Sequence, residues 1–261
     1  MKNKIKVAAI QCRIGDLNSA RKVASKAAEN GCELILFPEY FSYSRLALEI
    51  LDETLRFLKD LSLEYGIAAS GNAVVDEKGY RNRSYVFDSG ELVGWQDKVH
   101  PTRTERELGI VCGEKLEILE IKGAKVSILV CADILYPELC RVAALKGAEI
   151  VLNPVVSFKQ SELPGTDYRY CLYFTRSFDN AYAIVKAGGF GRTFTGNEAV
   201  GRSLIATFDG ILAKSKNENG EEDVSAEIDL KKIREYKEIN YSLTDRNVKA
   251  YRELFNAEFD C

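Results

Sequence analysis

Short apolar runs alternate with amphipathic segments along the chain. An apolar run over residues 4–11 predicts a buried strand, and the Ala- and Lys-rich segment after it predicts a helix that ends near Asn30 and Gly31. Residues 33–37 predict a second strand. This strand–helix–strand order indicates a parallel pair of strands joined by a crossover helix. A similar order recurs over residues 125–187, so the pattern predicts two related halves.

The segments outside these two units predict a helix, several hairpins and a charged loop. Leucines and an isoleucine recur at helical spacing over residues 44–65, whereas residues 99–115 are charged and irregular, as in a loop that covers a site. Because no linker or low-complexity tract interrupts the chain, we expect one domain over residues 1–261, with a mixed sheet system covered by helices in an α/β architecture. Hairpins are predicted over residues 83–95, 116–130 and 203–214, and a last strand over residues 224–228.

The composition is that of an ordinary soluble globular protein, with 46% hydrophobic and 29% charged residues. The net charge of -3 argues against a broad face for binding nucleic acid. No apolar run reaches the roughly 18 residues that a membrane span needs. The N-terminal apolar run ends at Ile10, which favours a first strand over a signal peptide. We therefore expect a cytoplasmic protein without nucleic-acid or membrane partners.

The cysteine and histidine counts restrict the chemistry. The chain has seven cysteines, an odd number, and no Cys-x-x-Cys pair, which argues against a disulfide framework or a zinc site. His100 is the single histidine, so a histidine-rich metal centre is excluded and a Cys–His pair would have to use this residue. If the protein is an enzyme, we expect its general base to be a carboxylate or a lysine.

Three chemically complementary side chains follow apolar runs that predict buried strands: Glu39, Lys98 and Cys131. In open α/β sheets, ligands bind at the carboxyl ends of strands. Cys131 also precedes a predicted helix, whose N-terminus would lower the pKa of the thiol, as would a nearby Lys98. Glu39 could then accept the thiol proton, and Lys98 could stabilise the negative charge on an attacked carbonyl oxygen. Such a set is suited to acyl transfer without histidine.

Each of these residues also has a purely structural interpretation. Cysteine is among the most buried residue types, so Cys131 alone could be a core residue. Glu39 could be a solvated loop carboxylate, and Lys98 could form a surface ion pair with Asp97. The residue pattern by itself leaves the structural and the catalytic interpretations open.

Longer segments around the three residues carry further information. They read Phe37-Pro38-Glu39, Lys98-Val99-His100, and Cys131-Ala132-Asp133 followed by Tyr136-Pro137-Glu138. In order and spacing they resemble the three motif regions of the nitrilase superfamily, the carbon–nitrogen hydrolases. The resemblance covers nearly the whole chain, because Asn153-Pro154 and the segment over residues 175–180 also resemble family segments.

The resemblance implies an α-β-β-α sandwich, in which two mixed sheets pack together and helices cover both outer faces. It implies Cys131 as nucleophile, Glu39 as general base and acid, and Lys98 as stabiliser of the tetrahedral intermediate. Many family members have a second glutamate between the lysine and the cysteine. Glu107 is the candidate here, with Glu105 as the alternative. The resemblance also implies a homodimer or higher homo-oligomer, and no cofactor.

These expectations favour a hydrolase that cleaves the carbon–nitrogen bond of a small amide through an acyl-enzyme. Nitrile hydrolysis by the same cysteine and acyl transfer to an amine instead of water remain alternatives. A catalytically silent interaction protein that keeps the fold is a further alternative. Two departures from the family pattern, Ala132 in place of a frequent aromatic residue and the charged segment over residues 101–113, are expected to affect substrate choice.

Overall fold

Two six-stranded mixed sheets form the centre of the structure, a computed structural model that describes residues 2–158 and 167–256. In chain order the strands are β1 (Lys4–Gln11), β2 (Leu34–Leu36), β3 (Ala68–Asp76), β4 (Tyr80–Asp88), β5 (Glu91–Asp97), β6 (Leu119–Ile121), β7 (Ala124–Ile128), β8 (Ile150–Val155), β9 (Ser157–Phe158), β10 (Ala183–Gly188), β11 (Gly191–Arg192), β12 (Glu198–Val200), β13 (Leu204–Thr207), β14 (Gly210–Lys214) and β15 (Glu222–Asp229).

Helices connect the strands and follow the last of them. They are α1 (Leu17–Glu29), α2 (Ile50–Tyr65), α3 (Arg103–Glu107), α4 (Pro137–Leu145), α5 (Asp167–Asn180), α6 (Leu230–Ile239), α7 (Tyr241–Thr244) and α8 (Glu253–Asn256), with 3-10 turns at Cys131–Leu135 and Val248–Tyr251.

The two sheets have the same plan. The first has the order β15-β1-β2-β3-β4-β5, and the second has the order β14-β13-β10-β8-β7-β6. In each sheet three central strands run parallel, namely β1, β2 and β3 in the first and β7, β8 and β10 in the second. Antiparallel strands flank each parallel set on both sides. The two related halves predicted from the sequence are confirmed by this topology.

The alternation of side chains along the strands builds four layers. On β1, Val7 and Ala9 face the second sheet and pack with residues of β7, β8 and β10, whereas Ala8 and Ile10 pack with the first two helices. On β8, Leu152 faces the first sheet, and Val151 packs with α4 and α5. Because both faces of each sheet are covered, the parallel strands are apolar on both sides. The expected α-β-β-α sandwich is confirmed.

Local signals set where the first two helices begin and end. Asp16 caps α1, because its side chain accepts a hydrogen bond from the Ser19 backbone N–H at 3.0 Å. Gly66 ends α2 in the left-handed conformation, with a φ of 63°. The helix predicted over residues 44–65 therefore ends as expected but begins later, at Ile50. No helix in the described ranges is long and apolar enough to cross a membrane.

The charged segment over residues 99–115, predicted as an irregular loop, contains the short helix α3. Its start is a capping box: the Thr102 hydroxyl accepts from the Glu105 backbone N–H at 3.3 Å, and the Glu105 carboxylate accepts from the Thr102 backbone N–H at 2.7 Å. The prediction missed this helix because five residues are too few to show a hydrophobic period.

Candidate active site

A cavity of about 830 Å³ lies where strands of both sheets end, and it contains all three residues singled out in the sequence. Glu39 follows β2, Lys98 follows β5, and Cys131 follows the strand β7 of the second sheet. The structure therefore brings together side chains that are up to 92 positions apart in sequence, from Glu39 to Cys131 (131 minus 39). Apolar side chains form much of the remaining wall: Ile134, Leu135, Val155, Phe158, Leu172 and Phe194.

Lys98 is the centre of a buried ion triplet. Its Nζ lies 2.9 Å from Oε1 of Glu39 and 2.7 Å from Oε2 of Glu105. The three residues are only 1%, 2% and 6% exposed, respectively, so these are not solvated surface pairs. The structural interpretation of Glu39 as a solvated loop carboxylate and of Lys98 as a surface partner of Asp97 is therefore wrong. Buried charges of this kind need the full set of partners, since removal of one leaves the others uncompensated.

The second glutamate in the site is Glu105 and not Glu107. Glu107 is exposed and does not line the cavity, whereas Glu105 is buried against Lys98. The reason is the phase of α3: residues two positions apart on a helix project about 200° apart. The capping box turns Glu105 back toward Thr102 and the cavity, and so directs Glu107 to the solvent.

Asn82 and Tyr40 hold the two carboxylates in position. Asn82 Nδ2 lies 2.9 Å from Oε1 of Glu39 and 2.9 Å from Oε1 of Glu105, and the Tyr40 hydroxyl donates to Glu105 at 2.8 Å. The side chain of Asn72 in turn accepts from the Tyr40 backbone N–H and donates to Asn82. All of these groups are buried. The network leaves each carboxylate with one orientation toward Lys98.

The backbone conformation and backbone hydrogen bonds of Cys131 fix its position. Its φ of 50° lies in the left-handed region, which is uncommon for a residue other than glycine and often marks a functional site. Asn153 Nδ2 donates to the Cys131 carbonyl at 3.2 Å, and the Tyr173 hydroxyl donates to Asn153 Oδ1 at 3.0 Å. The Cys131 Sγ lies 3.9 Å from the Val156 carbonyl oxygen, while the Val156 N–H donates to Glu39 Oε2 at 3.2 Å. The backbone of Val156 thus contacts both the Cys131 thiol and the Glu39 carboxylate.

Asp133 ties the cysteine segment to the lysine segment. Its carboxylate is fully buried and accepts from three backbone N–H groups: Val130 at 3.1 Å, Val99 at 3.1 Å and His100 at 2.8 Å. The His100 ring nitrogen Nδ1 also lies 3.0 Å from Asp133 Oδ1. The single histidine is therefore used to position these segments and does not line the cavity.

The electrostatics at Cys131 differ from the expectation. Burial and the Glu39 carboxylate raise the pKa of the thiol well above its ordinary value, and Lys98 only partly opposes them. The expected lowering is wrong because Cys131 opens a five-residue 3-10 turn rather than a long helix, and because burial and the charge of Glu39 outweigh the opposing charge of Lys98. These surroundings favour the thiol over the thiolate, so a base that accepts the proton would assist the formation of a thiolate.

Glu39 is suited to take that proton. Burial, with a contribution from the Glu105 charge, raises its pKa above the ordinary 4.5, although Lys98 opposes this. Burial alone would lower the pKa of Lys98, but Glu39, Cys131 and Glu105 together raise it, so the ammonium stays protonated. Burial would likewise raise the pKa of Glu105, but Lys98 outweighs it and lowers that pKa. The surroundings thus favour the anionic form of Glu105, whereas burial makes the carboxylate of Glu39 easier to protonate.

Within the described residues, no group of three or more His, Cys, Asp or Glu side chains is placed to hold a metal ion. The charged segment does line the cavity as expected, through Thr102, Thr104, Glu105 and Leu108. Ala132 lines it as well, which leaves room where an aromatic side chain would project.

Sequence reasoning missed the supporting groups Asp133, Tyr40 and Asn72. Two of them carried a local signal. Asp133 stands two positions after the cysteine at the start of a turn, where a carboxylate can accept backbone N–H groups. Tyr40 follows Glu39 directly, at the strand end where the site was expected. Asn72 lies in the middle of β3, and nothing in the sequence distinguishes it.

Known proteins are similar to this chain in sequence. A family model for carbon–nitrogen hydrolases matches residues 6–238. A nitrilase of Pyrococcus abyssi is 26% identical over 251 residues, which cover 90% of this chain and 92% of that protein. An omega-amidase of Xenopus laevis is 25% identical over 262 residues, which cover 93% of this chain and 92% of that protein.

A solved structure has the same fold. The carbon–nitrogen hydrolase from Helicobacter pylori G27 superposes with a TM-score of 0.86 at 21% identity, and the match covers 98% of this chain and 99% of that one. The family model spans most of the chain, and the resemblance of the motifs is confirmed. The protein belongs to the carbon–nitrogen hydrolase family.

Proposed function

We propose that the protein hydrolyses a small amide through a thioester acyl-enzyme on Cys131. The observation that carries this proposal is the buried triplet of Glu39, Lys98 and Glu105 in the same cavity as the Cys131 thiol. A thiol, a carboxylate of raised pKa and a fixed ammonium around an open cavity add no stability to a hydrophobic core. Ionisable groups with perturbed pKa values cluster at functional sites.

In the first step Glu39 takes the thiol proton, and the Cys131 sulfur attacks the amide carbonyl carbon. A carbon–sulfur bond forms, and the carbonyl electron pair moves onto the oxygen. Lys98 and the backbone N–H of Ala132 are the donors we propose for that oxyanion. Because Lys98 is already held by two carboxylates, little reorganisation is needed when the charge develops.

In the second step the oxyanion re-forms the carbonyl, and the carbon–nitrogen bond breaks. Protonated Glu39 gives its proton to the leaving nitrogen, so ammonia or an amine departs and a thioester remains. The raised pKa of Glu39 suits it to this donation, since a carboxyl group with an ordinary pKa gives up its proton too early at neutral pH.

In the third step Glu39 takes a proton from water, and the resulting nucleophile attacks the thioester carbon. Collapse of this second intermediate breaks the carbon–sulfur bond and releases a carboxylic acid. The proton held by Glu39 returns to the sulfur, which restores the thiol. No group outside the described cavity is needed for the proton balance.

Nitrile hydrolysis is the second candidate, and it uses the same thiol to form a thioimidate. The similarity to a nitrilase favours it, as the similarity to an omega-amidase favours the first candidate. We prefer the amide because Glu39 is a buried acid well placed to protonate a leaving amine.

The test is a screen of small amides and of the matched nitriles for ammonia release, with intact-protein mass spectrometry. Cys131→Ala is expected to abolish turnover and the acyl adduct. Cys171→Ala is the matched control, because it removes another thiol from the cavity wall and leaves Glu39, Lys98 and Glu105 unchanged, and it should retain both. An adduct that persists in Cys131→Ala would refute the proposal. No turnover and no adduct with any substrate would favour a catalytically silent protein.

A further inference from the structure

A partly buried lysine lies on α6, outside the candidate active site. Lys237 does not line the cavity, and its Nζ donates to the Ala148 backbone carbonyl at 2.6 Å. That acceptor is neutral, and Lys237 forms no ion pair with the residues that the structure describes. An ammonium that is removed from water without an anionic partner becomes less stable relative to the neutral amine.

Both oxygens of the neighbouring acid have other partners. Glu149 follows Ala148 directly, and its side chain is only 8% exposed. One carboxylate oxygen accepts from Arg234 Nε, and the other accepts from the Lys125 backbone N–H at 2.8 Å. Arg234 stands three positions before Lys237, so the two side chains are neighbours on α6. The carboxylate therefore binds the guanidinium, and the ammonium keeps only the carbonyl.

A second ammonium lies beside the same turn. The Lys125 side chain packs over Gly147, with its Nζ 3.9 Å from the position that a Cβ of that residue would take. Because Gly147 directly precedes Ala148, two lysines approach consecutive residues between α4 and β8. With Arg234, they bring three positive charges close to the Glu149 carboxylate. These charges favour an anion over a further cation at this place.

The Lys237 side chain is partly neutral near physiological pH. Burial lowers the pKa of Lys237 to about 8, and Glu149 opposes this shift while Lys125 adds to it. At about pH 7.5, roughly a quarter of the side chains would be neutral, compared with about one in a thousand for a lysine of ordinary pKa. A neutral amine is a nucleophile, whereas an ammonium has no free electron pair.

We propose that Lys237 is a carbamylation site, at which the side-chain amine reacts reversibly with carbon dioxide. The nitrogen electron pair forms a bond to the carbon of CO₂, one carbon–oxygen π pair moves onto oxygen, and the nitrogen releases a proton to water. The product is an anionic carbamate beside Lys125 and Arg234, whose charges stabilise it. A neutral acyl group would gain less from these two cations, so the site favours CO₂ over an acyl donor.

Alkylation with triethyloxonium traps the carbamate for detection. The wild-type protein is equilibrated at about pH 7.5 with carbon-13 bicarbonate and dissolved CO₂, alkylated, digested and analysed by peptide mass spectrometry. We expect a labelled ethoxycarbonyl group on Lys237, which is lost when CO₂ is removed before alkylation. The absence of this group from Lys237 would overturn the proposal. Cys131→Ala should carry the same label, because carbamylation does not depend on the proposed amide hydrolysis.

Lys232 is the control within the same helix. It is exposed and forms an ion pair with Asp209, and this hydrogen-bonded pair raises the pKa of Lys232. Its labelling should therefore be at least about 10-fold weaker than that of Lys237. Equal labelling of the two lysines would show an unselective reaction and overturn the proposal. Lys237→Arg keeps the positive charge but should abolish the label at this position.

Two variants near the β6–β7 turn test the effect of the local charge. Lys125→Gln removes an exposed ammonium, which raises the pKa of Lys237 and takes away a partner of the carbamate, so labelling of Lys237 should fall by about 5-fold or more. Lys122→Gln makes the same change three positions earlier, where the lysine pairs with Asp88 at 2.6 Å, and should keep the wild-type labelling. An equal fall in both variants, or no fall in Lys125→Gln, would overturn the proposal.

Discussion

Replacement of the two neighbouring glutamates of α3 by glutamine tests how the site is held together. Glu105→Gln removes a buried charge that accepts from Lys98, Thr102, Asn82 and Tyr40. Glu107→Gln makes the same chemical change on the exposed side of the same helix. The two variants have the same composition and differ only in which side of α3 has lost its charge.

The contacts give the expected size of the effect. At 2.7 Å, the attraction between Lys98 and Glu105 is about 6 kcal/mol for an effective dielectric constant of about 20, and desolvation offsets much of it. A glutamine amide would also place its N–H₂ against donors on one side of the former carboxylate. Because Lys98 keeps Glu39 as a partner, we expect Glu105→Gln to lower the free energy of unfolding by about 2–4 kcal/mol. Glu107→Gln should change it by less than about 0.5 kcal/mol.

Two assays measure the consequences: urea unfolding at neutral pH, and alkylation of Cys131 by iodoacetamide followed by mass spectrometry. The second needs no knowledge of the substrate. The charge of Glu105 raises the pKa of Glu39, so Glu105→Gln should lower that pKa and shift the pH dependence of alkylation to lower pH. Turnover of any amide found in a screen should fall about 100-fold, since Lys98 is no longer fixed in place.

The contribution of Glu105 to stability should depend on pH. The pKa of Glu105 is lowered in the folded protein, so its contribution is present above the ordinary pKa of 4.5 and is lost as the pH falls through the lowered value. The difference between wild type and Glu105→Gln should therefore shrink below about pH 4.5. Equal losses in Glu105→Gln and Glu107→Gln, or a Glu105→Gln protein with wild-type stability and alkylation, would refute the reasoning.

Three further predictions concern the thiol, the segment that carries it and the assembly. Alkylation of Cys131 should increase with pH along a limb set by the raised pKa of Glu39, and Glu39→Gln should remove that limb; a limb that persists would exclude Glu39 as the base. Asp133→Asn should lower the free energy of unfolding by about 2–3 kcal/mol in urea, because one amide nitrogen would face backbone donors; an unchanged midpoint would contradict this. We also propose that two copies pair through α5, where Phe178 is 50% exposed, so light scattering should find a dimer that Phe178→Asp converts to monomer; a monomeric wild type would exclude this pairing.

The placement of the three principal residues followed from local sequence signals. Glu39, Lys98 and Cys131 each stand just after an apolar run, and ligands of open α/β sheets bind at strand ends of this kind. The β-α-β order also predicted parallel strands covered by helices, whereas the packing of two sheets into an α-β-β-α sandwich was implied by the family resemblance. Both signals depend on residues close together in the chain, so a single sequence contains them.

The second glutamate and the state of the thiol were not predictable in this way. The choice between Glu105 and Glu107 depends on the phase of a five-residue helix that has no hydrophobic period. The pKa of Cys131 depends on burial and on the distance to Glu39, a residue from a different sheet. A prediction from the turn after Cys131 considered only the local dipole, whereas the tertiary environment has the larger effect.

The docking of the two sheets therefore determines the chemistry of the site. Glu39 and Lys98 extend from the first sheet and Cys131 from the second, and the apolar interface between the sheets contains residues of β1, β2, β7, β8 and β10. Three hydrogen bonds span this junction next to the site: the Val156 N–H donates to Glu39, and the Val99 and His100 N–H groups donate to Asp133. A thiol and its base must lie within hydrogen-bond reach of each other. A shift between the sheets would therefore separate Cys131 from Glu39, even if the local surroundings of each side chain stayed the same. The inter-sheet core is thus part of the proposed catalytic geometry, which explains why motif order indicates the residues of the candidate site but not their ionisation.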